Sequence, residues 1–110
     1  MMDSSAIRIS AVLIEEENGW AAQFLEFDIA AQAPTFAALQ YELHRVLLAH
    51  LCIALDLNRE PFAHIPPAPQ KYWDMFRRST TKIEMDAVPF RVSSASAPSI
   101  IPQLKIAEAA

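Results

Sequence analysis

Three histidines, one cysteine and three consecutive glutamates are the residues with which this chain could attempt acid–base, metal or nucleophilic chemistry. His44 and His50 are six positions apart, which turns them about 120° from each other on a helix and prevents i,i+4 chelation of a metal. His50 falls among apolar neighbours, where a hydrogen-bonded core histidine is expected rather than a ligand, and His64 stands apart from both. Cys52 would need an accessible, low-pKa thiolate to act as a nucleophile. It lies instead on an apolar helical stripe, where a cysteine behaves as a small hydrophobe. Glu15, Glu16 and Glu17 occupy a hairpin tip, too exposed for the pKa tuning that paired carboxylates need. The single glycine, Gly19, belongs to that hairpin, so no phosphate-cradling loop is available. No catalytic residue, metal site or cofactor is expected, and the chain reads as a non-enzyme.

Composition narrows the remaining classes. The 110 residues are 53% hydrophobic and 20% charged, which suits one packed domain and not a disordered chain. The longest fully apolar run, residues 51–55, is far shorter than the roughly 20 residues of a membrane span. Met1-Met2-Asp3-Ser4-Ser5 lacks the basic region and apolar stretch of a signal peptide. One cysteine allows no internal disulfide. A cytoplasmic protein with no membrane partner is the expectation. The net charge is −4, and the first 28 residues hold six acids against Arg8 alone. That surface repels nucleic-acid phosphate and suits a basic partner.

The elements follow from periodicity. Ile7, Ile9, Ala11 and Leu13 alternate with Arg8, Ser10, Val12 and Ile14, the spacing of a strand with one face more buried. Asn18-Gly19 is a strong two-residue hairpin signal of type I′. A loop there sets Leu13 opposite Phe24 and Ile14 opposite Gln23, and places Trp20, Ala22 and Phe24 on the face of Ile9, Ala11 and Leu13. Residues 25–28 turn the chain into a short third strand over 29–32, and Pro34-Thr35 stops the sheet with Thr35 as a helix N-cap. Residues 1–6 form a disordered tail.

From Thr35 to about residue 57 the spacing is helical. Phe36, Leu39, Leu43, Val46, Leu47, His50, Leu51, Ile53, Ala54 and Leu57 share one arc that should lie on the sheet. Beside it runs a second stripe of Tyr41, Leu48, Cys52 and Leu55. A surface helix on one sheet shows a narrower apolar face than this, so the second stripe requires cover from the C-terminal half or from a second copy of the chain. Residues 61–110 are a proline-rich extension of the same domain. Pro61, Pro66, Pro67 and Pro69 make a stiff connector, and a short helix runs from Pro69 to Ser79 with an aromatic face of Tyr72, Trp73 and Phe76. Residues 81–85 alternate weakly as a short strand, and residues 93–99 read as a Ser/Ala/Pro loop. Residues 100–106 form one more strand, which Pro102 confines to a sheet edge or to a strand start; an edge strand is the expectation.

The stretch over 9–33, with Gly19, Trp20, Ala22 and Gln32 in matching places and Thr35 opening the helix, resembles the N-terminal domain of HicB-like antitoxins. The resemblance spans about residues 7–57, the core of the domain over 7–60. It implies an α+β, partial ribonuclease-H-like β-β-β-α-β fold with one long helix on an antiparallel sheet. It also implies a dimer whose family members neutralise a small basic ribonuclease toxin, HicA. Ile7, Ile9, Ala11 and Leu13 stand where ribonuclease H would carry acids, so its metal site is not reproduced. Glu26-Phe27-Asp28 replaces the family's proline-glycine turn, and residues 61–110 resemble neither a helix-turn-helix nor a ribbon-helix-helix.

The leading expectation is a non-catalytic HicB-like protein that self-associates and binds a protein partner, an antitoxin for a HicA-type toxin. Glu15, Glu16, Glu17 and Trp20 are the candidate partner-binding residues. Tyr41, Leu48, Cys52 and Leu55 are the candidates for self-association or C-terminal docking. Two alternatives stand beside it. One is a nucleic-acid-binding module using Lys71, Arg77, Arg78 and Lys82 with Tyr72 and Trp73; the other is an orphan homo-oligomer.

Overall fold

A computed structural model describes residues 6–60, 62–83 and 99–107. The elements run β1 (Ala6–Glu16), β2 (Gly19–Phe24), β3 (Ala30–Ala33), α1 (Phe36–Asp56), α2 (Gln70–Arg78), β4 (Thr81–Ile83) and β5 (Ser99–Ile106). The strands form one mixed sheet in the order β3-β2-β1-β5-β4. All neighbours are antiparallel except β1 and β5, which are parallel. The protein is therefore an α+β fold with a five-stranded sheet and two helices.

The alternation read in β1 decides which helix goes where. Ile9, Ala11 and Leu13 point to one face with Ala22, Phe24, Ala31 and Leu104, and meet Leu39, Leu43, Leu47 and Leu51 of α1. Val12 and Leu25 point to the other face, where Ala68 and the ring-bearing side of α2 cover them. Among the described residues α2 packs on the face opposite α1, while Phe62, Ile65, Ile83 and Ile106 pack on the α1 side. Tyr41, Cys52 and Leu55 of the second stripe are exposed, and residues 84–98 lie outside the described residues.

Three expectations are corrected. The β1–β2 register pairs Leu13 with Ala22 and Ala11 with Phe24, two residues from the expected alignment. The turn is Glu17-Asn18, and neither residue has a positive φ. Because the slip is even, the facing of every side chain is preserved. The third strand begins at Ala30 and ends at Ala33, one residue later than expected. Finally, β5 is an interior strand and β4 is the edge. Among the described residues β4 pairs with β5 from Leu104 to Ile106.

α1 starts as expected. Thr35 is extended at φ −134° and ψ 162°, and its Oγ1 accepts the Ala38 N–H at 3.1 Å. The helix ends in a Schellman motif. Asn58 takes φ 55°, its N–H donates to the Leu55 carbonyl, and the Arg59 N–H reaches the Ala54 carbonyl at 2.8 Å. α2 begins after Pro69 and ends before Ser79. The connector is pinned between them. Phe62, at φ 64°, a conformation costly for a bulky residue, stacks on Phe27 at 3.9 Å and 5°.

Candidate functional site

Two surfaces stand out, one at the hairpin and one along α1. The first is built by the β1–β2 hairpin and the end of β3. Gly19 lies against the Ala33 carbonyl so closely that a Cβ would sit 2.6 Å from that oxygen and 3.2 Å from the Pro34 Cα. This approach brings Gln32, Ala33 and Pro34 beside Glu16, Glu17, Asn18 and Trp20, and together they line an open concavity of about 530 Å³. Trp20 packs edge-on against Phe36, centroids 5.0 Å apart and planes at 65°, so one side of the indole is anchored. Glu15, Glu16 and Glu17 are exposed. None of the three takes part in an ion pair; among the described residues those pairs are Arg45–Glu42 and Arg77–Asp74. The structure brings Glu16, Glu17 and Trp20 to one site and leaves Glu15 outside its lining.

The second surface is the exposed side of α1, a helix of 21 residues. Tyr41 is 66% exposed, Ile53 57%, Leu57 53% and Leu55 40%; these are the exposed large hydrophobic residues among those described, and all belong to α1 or its cap. Cys52 is exposed beside them, while Leu48 is half-buried against the core. Ile53 and Leu57 were expected in the buried arc. The fully buried set, Leu39, Leu43, Leu47, Leu51 and Ala54, centres about 20° from the middle of that arc at 100° per residue, which leaves Ile53 at the exposed margin; Leu57, in line with buried Leu39, is exposed as the C-cap beyond the last helical residue.

The aromatic residues of the basic segment are engaged in packing, while Arg78 and Lys82 are exposed. Tyr72, Trp73 and Phe76 pack on the second core, and the Trp73 indole N–H donates to the Ala68 carbonyl at 3.2 Å. Lys71 sits over the Tyr72 ring at 5.0 Å, and Arg77 is paired with Asp74. The rings a nucleobase would need are turned toward the sheet. His50 is half-buried with its ring 5.8 Å from Phe62, and His44 has its Nε2 buried without a hydrogen-bond partner. Among the described residues no group of three or more histidine, cysteine or carboxylate side chains could hold a metal ion, and no helix is long and apolar enough to cross a membrane.

Of the residues that shape these surfaces, sequence reasoning missed Gln32, Ala33 and Pro34, whose position depends on the pairing of β3 with β2. It also missed the exposure of Ile53, at the margin of the buried arc, and of Leu57, at the helix cap. No family model, curated protein or solved structure matches this chain.

Proposed function

We propose that the chain is a non-catalytic, HicB-like binding protein that self-associates through α1 and holds a basic protein partner at the acidic hairpin end, in the manner of an antitoxin on a small basic toxin. The observation that carries this reading is that the exposed large hydrophobic side chains among the described residues all belong to α1 or its cap. Tyr41, Leu55 and the exposed Cys52 share one side of the helix, and exposed apolar surface of this kind marks protein-contact sites. Two features support the family assignment: the three-stranded meander followed by a helix, and the return of the chain to β1 as a parallel strand. Unpaired Glu16 and Glu17 beside an anchored Trp20 offer a basic partner both attraction and contact area.

Sedimentation of the purified chain, together with co-purification of a short basic protein encoded beside it, tests the reading. A dimer that retains such a protein and loses it on Glu16→Lys/Glu17→Lys substitution is the expected result. A chain that stays monomeric at all concentrations and retains no basic protein would sink both parts.

A further inference from the structure

We infer that the occupant of the exposed α1 flank is a second copy of α1, packed antiparallel about a two-fold axis close to Cys52. This rests on the self-association proposed above and adds its geometry. Arg45 and Asp56 are exposed and eleven positions apart, which places them within about 20° on the same side of the helix and roughly 16 Å apart along it. Leu48, Cys52 and Leu55 lie on the adjoining stripe between them. The flank is therefore basic at one end, acidic at the other and apolar in the middle.

Only one way of pairing such a flank with itself satisfies all three parts. A parallel pairing sets Arg45 against Arg45 and Asp56 against Asp56, which repel. An antiparallel pairing sets each Arg45 against the other copy's Asp56 and each Leu48 against the other copy's Leu55, an isologous contact. The Arg45–Asp56 midpoint, the Leu48–Leu55 midpoint and Cys52 itself all fall between residues 50 and 52, so their axes agree to about 2 Å along the helix. Arg45 can serve both charges. It donates to Glu42 through Nε and Nη2, and its remaining guanidinium hydrogens are free for a second carboxylate. Asp56 has no ion-pair partner within its own chain among the described residues.

The test combines cross-linking with charge reversal on the full chain. Facing cysteines at the axis should come within the Cα separation a disulfide tolerates, so copper-catalysed oxidation should yield a covalent dimer that Cys52→Ser abolishes without dissociating the non-covalent one. Arg45→Asp and Asp56→Arg should each weaken the dimer roughly tenfold in sedimentation, and the double variant should recover it. A monomer under all conditions overturns both this pairing and the self-association. A dimer that lacks either the Cys52 cross-link or the rescue by double reversal overturns the helix pairing alone, as does occupation of this flank by a different protein.

Discussion

The two faces of the sheet are built differently. On one, α1 lays Leu39, Leu43, Leu47 and Leu51 against Ile9, Leu13 and Phe24, and every one of these side chains is all but inaccessible to water. On the other, α2 has no fully buried residue. It is held by half-buried rings over Val12 and Leu25, by the Trp73 indole N–H on the Ala68 carbonyl and by the Ser79 hydroxyl on the Ile106 carbonyl. Lys105 adds a cation–π contact, its Nζ 4.4 Å from the Phe76 ring centroid. The first face holds by filling volume, the second by rings and polar ties. Yet the helix with the larger buried face is also the one with greasy residues to spare. That surplus is the ground for the binding role proposed for α1.

Removing volume from each face should sharpen the contrast most. Leu47→Ala opens a cavity in the α1 face and should cost about 3 kcal/mol in urea unfolding. Trp73→Ala removes a half-buried ring and one hydrogen bond, and should cost about 2 kcal/mol, less than its size alone would suggest. An equal or greater loss from Trp73→Ala would show that the α2 face carries as much of the fold as the α1 face.

How much of this was legible in the chain depends on the range of the interaction. Local patterns were readable: the shared face of Ile9, Ala11, Leu13, Trp20, Ala22 and Phe24, the N-cap Thr35, the span of α1 and the start of α2 after Pro69. The hairpin register was not, because a period of two looks the same after a slip of two residues. Nor was the interior place of β5, which pairs with both β1 and β4, since a proline reads as confining its strand to an edge or to a strand start. In the roll of α1, apolar residues on both flanks left the burial centre undetermined until the sheet chose it. At the hairpin site Glu16, Glu17 and Trp20 were readable, but the opposing wall arrives from β3 by tertiary pairing.

Gly19 shows the same limit and gives the next test. Its φ of +157° and the nearby Ala33 carbonyl, not a positive-φ turn at Asn18-Gly19, make it a glycine. Gly19→Ala should therefore cost about 1–3 kcal/mol through forced backbone displacement. Asn18→Ala should cost under about 0.5 kcal/mol, because Asn18 needs no positive φ. A comparable loss from both variants, read by thermal or urea unfolding, would return the turn to Asn18-Gly19 and detach β3 from the argument for the hairpin concavity.

The smallest expected effect separates the helices by pH. Each carries an exposed i,i+3 ion pair, Glu42–Arg45 on α1 and Asp74–Arg77 on α2. The hydrogen bond from Arg45 holds the Glu42 carboxyl below its usual range; for Asp74 the hydrogen bond from Gln70 does most of this, followed by that from Arg77. A carboxyl lowered in the folded state contributes stability that is complete above its unfolded pKa and is lost as pH falls through the lower, folded value. α1 is anchored by its leucine ladder and should not register that loss. α2, with no fully buried residue, should loosen slightly. Trp73 fluorescence in a Trp20→Phe background should therefore shift as pH falls below the ordinary carboxylate range, and Asp74→Asn should flatten the shift. Emission that stays constant through that titration would mean that the rings alone hold α2, and that polar ties add nothing to its face of the sheet.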